Sequence, residues 1–172
     1  EWGATICVSE VGAGSDLARA STQAVPNGDG TWSVTGEKCW ISYGDHDLTE
    51  QVGHVVLAQT QDAEGKRRPS LIFVPAMLPD GTRNHIAVRR LEHKLGLHGS
   101  PTCALGFEEA TGWLLGEQGR GLAQLFVMIA NMRLAVGAMG LGIAAGAADT
   151  AALYATERKQ GGKPGPVPIQ EH

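Results

Sequence analysis

Hydrophobic and polar residues alternate in short runs along the first two thirds of the chain, which predicts β-strands. The runs are separated by glycine, asparagine and aspartate, which favour tight turns. Asn27-Gly28-Asp29-Gly30 is the strongest of these turn signals and predicts a hairpin. The predicted strands lie at 22–25, 31–36, 38–42, 54–60, 70–74, 86–88 and 102–107. Short strands at this spacing indicate an antiparallel sandwich or barrel.

The pattern changes to a helical period near Gly119. Apolar side chains recur there at intervals of three and four residues from Leu122 to Val136, and no proline occurs up to about Arg158. An uncharged run of small and apolar residues, 134–148, lies within this segment. The run is shorter than the roughly 20 residues that a bilayer requires. We therefore expect a long helix buried in a helical bundle, and no membrane span.

These two patterns predict an α+β fold in two parts. Residues 1–117 are expected to form the β domain, and residues 118–172 the start of a helical domain. Composition agrees with a globular chain, since 42% of the 172 residues are hydrophobic and the net charge is only −4. The 24 glycines follow no period of three, which excludes a collagen-like chain.

Charge and cysteine content exclude several classes of site. An acidic balance with scattered basic residues is the wrong pattern for a nucleic-acid binder. Cys7, Cys39 and Cys103 form no CxxC pair, so they predict neither a disulfide framework nor a zinc site and favour a reducing, cytoplasmic location. The histidines lack metal-ligand spacing, so no metal is expected. Because the chain starts at Glu1 and ends without a helix-stop signal, we expect a fragment cut at both ends.

Gly12-Ala13-Gly14-Ser15-Asp16 is the clearest glycine-rich segment. It is not a dinucleotide fingerprint, because Leu17 occupies the third glycine position and the residues that follow predict a strand. It also lacks the lysine of a P-loop. Two interpretations stay open: a simple turn, or a loop whose backbone N–H groups and Ser15 hydroxyl approach a ligand phosphate.

Three further groups are candidates for ligand contact. Trp40-Ile41-Ser42 lies at a strand end, where a tryptophan usually fills the core but can also support a flat heteroaromatic ligand. Arg133 lies among apolar residues, and a buried arginine requires a carboxylate or phosphate partner, so we expect an ion pair or an anionic ligand. Arg158, near a helix C-terminus, is by default a cation that complements the helix dipole.

Taken together, three motifs in order resemble the acyl-CoA dehydrogenase family over essentially the whole chain. They are Cys7–Asp16, Lys38–Ser42 and Glu157–Gln160. Three more stretches, 44–50, 92–100 and 131–134, look like the branch that contains the 3-methylmercaptopropionyl-CoA dehydrogenases. The resemblance implies a middle β-barrel domain followed by the first helix of a truncated C-terminal four-helix bundle.

The resemblance implies that two segments hold the flavin ring of an FAD cofactor. One would contact the ring edge with its backbone and a serine hydroxyl. The other would cover the ring with a tryptophan and place a serine near the reactive nitrogen, where hydrogen bonds tune the acceptance of hydride. The residues are Ile6, Cys7, Val8 and Ser9 in the first segment and Trp40, Ile41 and Ser42 in the second.

Other residues are implied to contact the rest of the cofactor and the substrate. Arg158 would reach the FAD diphosphate of a neighbouring subunit, with Gln160 also among the cofactor-binding residues, which implies a homo-oligomer (a dimer or tetramer). Ser15 would meet the CoA portion of an acyl-CoA, and Arg133 would face the active-site cavity. The implied reaction is α,β-dehydrogenation of the thioester to a 2-enoyl-CoA, with electron-transferring flavoprotein as acceptor.

The resemblance implies no catalytic base within this chain. In most family members the base is a glutamate that would lie beyond residue 172, and in others it occupies the position matched here by Met132. Glu10, Glu108 and Glu109 are acid candidates, but their spacing does not pair them. We therefore expect the isolated chain to be inactive. Two alternatives stay open: an acyl-CoA oxidase-like enzyme that uses oxygen, and a non-catalytic flavin-containing binding module of the same fold.

Overall fold

The computed structural model describes residues 1–172 and contains nine strands and one long helix, which confirms the α+β class. The helix, α1, spans Gly121–Glu157. The strands are β1 (Trp2–Cys7), β2 (Gln23–Pro26), β3 (Trp32–Ser42), β4 (Gln51–Gln61), β5 (Arg67–Pro75), β6 (Ile86–Leu91), β7 (Thr102–Leu115), β8 (Lys159–Gln160) and β9 (Val167–Pro168). A 3₁₀ turn, Leu17–Arg19, replaces the strand predicted directly after the glycine-rich segment.

Strands β1 to β7 form one mixed sheet in the order β1-β4-β2-β3-β7-β5, with β6 beside β7. β5 pairs with β4 along its whole length, whereas β2 meets β4 only through Gln23 and Gln59. Because that link is so short, the sheet is sandwich-like and not a closed barrel. The antiparallel prediction is wrong for β1, which runs parallel to β4. This pairing joins distant segments and therefore leaves no local signal in the sequence.

The core consists of apolar side chains on the inner faces of the sheet. Val34, Val56, Ile72, Leu105 and Phe107 are almost completely buried. Each such side chain contributes about 1.5–3 kcal/mol through removal of apolar surface from water. This burial explains the alternation along β3 and the longer apolar runs in β4 and β5. The hairpin at 27–30 also forms as predicted, with β2 antiparallel to β3.

The chain divides into two compact units, Glu1–Leu125 and Phe126–His172. Most of α1 belongs to the second unit, where it is followed by a small hairpin of β8 and β9. Only Gly121 and Leu125 of the helix are buried. The rest of the helix is not buried within this chain, so its burial in a helical bundle stays a prediction. A Cβ added at Gly137, Gly140, Gly142 or Gly146 would meet nothing within 4 Å, so none of these glycines is packed closely within the chain.

By length and composition, α1 could cross a membrane. Its best 18-residue window has a mean hydropathy of 1.6. The uncharged run 134–148 is shorter than the apolar part of α1, because apolar residues continue on both sides of the run. One helix of this kind is weak evidence for a membrane span, since the core helices of soluble proteins meet the same criterion.

Candidate functional site

Trp40 lies on a β-bulge near the end of β3. The pairing with β7 shifts between Lys38 and Ile41, so that Cys39 and Trp40 together face a single residue of β7. Trp40 has a φ of 64°, in the left-handed region, and its side chain is 60% exposed. Its neighbours Cys39 and Ile41 are buried. The core-filling interpretation of Trp40 is therefore wrong, and the indole ring presents a flat surface to solvent.

Val8 and Ser9 lie directly beside this bulge. The Ser9 carbonyl accepts a hydrogen bond from the Cys39 N–H at 2.9 Å, and the Val8 carbonyl accepts one from Lys38 Nζ at 3.0 Å. The fold thus brings together the two segments that the sequence assigned to one ligand. Cys7 is fully buried, backbone and side chain alike, whereas Ile6 is partly exposed.

A buried ion pair that the sequence did not predict lies between these segments. Lys38 Nζ is 2.9 Å from Glu10 Oε1, and the two side chains are 0% and 7% exposed. Burial alone raises the pKa of Glu10, but hydrogen bonds from Ser21, Lys38 and Thr22 outweigh it and lower the pKa to about 2. Burial lowers the pKa of Lys38, against the opposing effect of Glu10. The only local signal was a lysine inside a predicted strand.

The glycine-rich segment begins with a tight turn. The backbone N–H groups of Glu10 and Ala13 each donate to the other's carbonyl at 3.0 Å. Neither Gly12 nor Gly14 has a positive φ, and a Cβ at either would meet nothing within 4 Å. Turn geometry therefore does not require these glycines. The space above them is open, and Ser15 is exposed next to Gly14.

Arg133, Arg158 and Gln160 belong to the second unit, and all three are exposed. Arg133 is exposed on α1 and forms no ion pair within the chain, so the anionic ligand is the alternative that stays open for it. The backbone of Arg158 bonds to Tyr154 and Ile169, which leaves its side chain exposed. Their assignment to cofactor and substrate stays a prediction.

The acid candidates of the first unit have separate surroundings. Glu10 is held by the bonds described above and cannot act as a free base. Glu108 forms an ion pair with Arg89, and Glu109 is exposed. No group of histidine, cysteine or acidic residues is arranged to hold a metal ion. The expectation that the base lies elsewhere stays a prediction.

A separate groove of about 700 Å³ lies along β2 and β3. Its lining includes Gln23, Ser33, Thr35 and Glu109 and contains none of the predicted site residues. Such a lining is polar and carries one acidic group, so it offers neither a flat apolar surface nor a cation. The bulge beside Val8 and Ser9 is chemically the better candidate site.

The groups around the bulge fit a flat heteroaromatic ligand with polar edges. Trp40 supplies an exposed ring, and the hydroxyls of Ser9 and Ser42 form no hydrogen bond within the chain. The open space above Gly12 and Gly14 allows backbone to approach a phosphate-bearing portion. A flavin ring has such a flat face and such an edge of nitrogen and oxygen atoms, so these residues fit it.

Comparisons with known proteins agree with the sequence motifs. A family model described as acyl-CoA dehydrogenase, middle domain, matches residues 5–110. The chain is 42% identical over 182 aligned residues to the 3-methylmercaptopropionyl-CoA dehydrogenase of Ruegeria pomeroyi, with 99% of this chain and 31% of that protein covered. It is 41% identical to the broad-specificity linear acyl-CoA dehydrogenase FadE5 of Mycobacterium tuberculosis, with 93% and 28% covered.

A solved structure shares the fold. The acyl-CoA dehydrogenase of Bacillus anthracis, complexed with FAD, superposes with a TM-score of 0.78 at 28% identity, covering 98% of this chain and 27% of that chain. The chain thus spans only 28–31% of the length of the two curated relatives that it matches.

Proposed function

Because the chain belongs to the acyl-CoA dehydrogenase family, we propose that its β-sandwich unit binds the flavin ring of FAD at the Trp40 bulge. The observation that carries this proposal is that Trp40 is exposed beside Val8 and Ser9, with its backbone in the left-handed region. A further support is that the superposed Bacillus anthracis structure is complexed with FAD. When bound, FAD supplies the acceptance of hydride.

The chain's own residues would have distinct roles in this site. Trp40 would cover one face of the ring and exclude water from it. The hydroxyls of Ser9 and Ser42 would donate hydrogen bonds to the ring edge, where they stabilise the negative charge that develops on reduction. Ile6 and Val8 would contribute backbone contacts, the buried Cys7 would support them from the core, and Ile41 would lie beside Trp40.

We propose an acyl-CoA thioester as the substrate and its α,β-dehydrogenation to a 2-enoyl-CoA as the reaction. Ser15 would contact the CoA portion beside the open glycines, and Arg133 is also proposed to contact the substrate. The two curated relatives differ in the acyl groups that their names specify, although both are more than 40% identical to this chain. We infer that this part of the protein does not by itself determine acyl-chain specificity.

The remaining proposals concern assembly, electron acceptor and location. Arg158 and Gln160 are exposed, as groups that bind the FAD of a neighbouring subunit must be, and this supports a homo-oligomer. Electron-transferring flavoprotein is the proposed acceptor. Three cysteines without a disulfide agree with a cytoplasmic location. The relatives named above are dehydrogenases, which favours neither the oxidase nor the binding-module alternative.

An FAD titration of the purified protein tests the cofactor site. We expect saturable binding, with quenching of tryptophan fluorescence and a change in the flavin absorption spectrum. Trp40→Ala is expected to weaken binding by roughly tenfold, as loss of an aromatic stacking partner does. Trp2→Ala is the matched control, because Trp2 is 61% exposed but packs on Phe73. Equal losses in both variants, or no binding at all, would contradict the proposal.

A dehydrogenase assay tests the expectation that the chain contains no catalytic base. The purified 172-residue chain, loaded with FAD and given an acyl-CoA and an artificial electron acceptor, is expected to show no turnover. The reason is that the resemblance places the base beyond residue 172 or at the position of Met132, and that Glu10, the carboxylate beside the bulge, is held by hydrogen bonds from Lys38, Ser21 and Thr22. Measurable 2-enoyl-CoA formation would show that the chain contains its own base.

A further inference from the structure

Lys38 is a fully buried cation two residues before Trp40. Its ammonium group donates to the Val8 carbonyl at 3.0 Å and to Glu10 Oε1 at 2.9 Å. The next residue, Cys39, donates its N–H to the Ser9 carbonyl at 2.9 Å. Val8, Ser9 and Glu10 are therefore hydrogen-bonded to two consecutive residues of β3, Lys38 and Cys39.

Glu10 extends these contacts to the far end of the glycine-rich loop. Its Oε2 accepts hydrogen bonds from both the N–H and the hydroxyl of Ser21 at 2.7 Å, and its Oε1 accepts one from the Thr22 N–H at 3.0 Å. Glu10 precedes the loop, whereas Ser21 and Thr22 follow it. One carboxylate therefore closes the loop that carries Ser15.

Stability alone does not explain an ion pair at this position. Removing two charges from water costs about as much free energy as their attraction contributes, so apolar residues of similar volume would stabilise the fold equally well. Hydrogen bonds of a charged group differ from apolar contacts in being directional. Lys38 and Glu10 therefore define where the segment 8–10 lies relative to β3.

We infer that Lys38 and Glu10 are positioning residues that hold Val8 and Ser9 against the Trp40 bulge before FAD binds. The inference rests on the proposed FAD site. Both side chains are buried, so they act through the backbone of the segment 8–10 and not through contact with the cofactor. Contact groups that are already ordered lose less conformational entropy on binding, which strengthens affinity.

Lys38→Met tests this inference, since it removes the ammonium group and keeps a side chain of similar length. We expect faster hydrogen exchange of the backbone amides in 8–10 and 21–22. FAD affinity should fall by roughly tenfold to a hundredfold, the loss that corresponds to one charge-assisted hydrogen bond. Arg89→Met is the matched control, because it removes a surface cation that pairs with Glu37 and Glu108. It should change neither quantity.

If Lys38→Met does not fold, the double variant Lys38→Met/Glu10→Gln replaces it, because it leaves no buried charge. The same two changes are expected there. A folded variant with unchanged hydrogen exchange, or with the FAD affinity of the unsubstituted protein, overturns the inference. Absence of FAD binding in the unsubstituted protein is a distinguishable outcome, since it overturns the proposed function and the inference with it.

Discussion

Trp40 adopts a backbone conformation that costs free energy and gains little from burial. The left-handed region costs a residue other than glycine about 1–2 kcal/mol. Tyr43, Leu97 and Glu109 are the other residues of this kind. Trp40 is 60% exposed, so its ring offsets little of that cost by packing. Strain of this kind at an exposed aromatic residue favours a role in binding.

Replacing Trp40 by glycine separates stability from binding. Trp40→Gly is expected to keep the free energy of unfolding or raise it by about 1 kcal/mol, because glycine adopts a positive φ freely. FAD affinity should nevertheless fall by roughly tenfold. Urea titration and FAD titration measure the two effects. Leu97→Gly relaxes a φ of 54° outside the site and should leave FAD affinity unchanged. A large loss of stability in Trp40→Gly would show that the ring packs in the fold.

His54 is a second residue whose surroundings were hidden from the sequence. It is 1% exposed, its Nδ1 is 2.8 Å from the Thr5 hydroxyl, and its ring lies edge-on to Phe107. Burial lowers its pKa to about 4. The folded protein therefore keeps this ring neutral under conditions in which the unfolded chain binds a proton.

This difference predicts lower stability in mild acid. His54 binds a proton below about pH 6.5 in the unfolded chain but only below about pH 4 in the folded protein. The free energy of unfolding therefore falls as the pH decreases between these values. From pH 7.5 to pH 5 the loss should be about 2 kcal/mol in urea titrations. His54→Gln should remove most of that difference, whereas the exposed His85→Gln should not. Equal pH dependence in both variants would rule out His54 as the source.

At the scale of elements, the strands and the helix differ in the interactions that stabilise them. Most strands of the sheet bury an apolar face, so their period follows from the core, although β6 has no buried residue. Helix α1 is continuous over 37 residues although almost none of it is buried. Its composition of alanine, leucine and methionine favours helix, whereas its interior glycines oppose it. The helix therefore depends on intrinsic propensity more than any other element of the chain.

Gly140→Ala tests that dependence. Alanine at an exposed helix interior should stabilise the helix by about 1 kcal/mol, seen as a higher midpoint of thermal unfolding by circular dichroism. Gly119→Ala is the contrasting variant, since Gly119 has a φ of 78° and its Cβ would lie 2.9 Å from Arg68. That variant should be destabilised. A loss of stability in Gly140→Ala would mean that another surface packs against this glycine.

At the scale of the whole molecule, the second unit exposes many apolar side chains. Leu134, Leu141 and Ile143 on α1 are 76%, 73% and 69% exposed. Soluble monomers rarely expose contiguous apolar surface of this kind, and such surfaces usually mark contacts with another chain. The exposure agrees both with the expected burial of α1 in a helical bundle and with the proposed homo-oligomer.

Self-association of the purified chain is therefore expected at micromolar concentration. Sedimentation velocity should show species larger than a monomer of 18.1 kDa. The double variant Leu141→Lys/Ile143→Glu should shift the distribution toward monomer, because it places charges in the apolar surface. Leu95→Lys, in an exposed loop, is the control and should have no effect. A monomer at all concentrations would contradict the expectation.

The sequence by itself determined the features that depend on neighbouring residues. The hairpin at 27–30, the strands β2 to β7, the start and end of α1 and the family motifs all follow from local periodicity, turn residues and residue order. β1 was not among the predicted strands, and the predicted strands 31–36 and 38–42 form the single strand β3. The ends of other strands were understated, because the predicted runs counted the most apolar residues.

Only the tertiary structure decided which distant residues meet. The parallel pairing of β1 with β4, the bulge that exposes Trp40, and the bond between Lys38 and Glu10 all join segments far apart in the chain. The exposure of Arg133 and of its apolar neighbours on α1 was likewise not evident from the sequence. Local patterns report the propensity of a segment, whereas burial, strand partners and ion pairs depend on which other segments the fold places beside it.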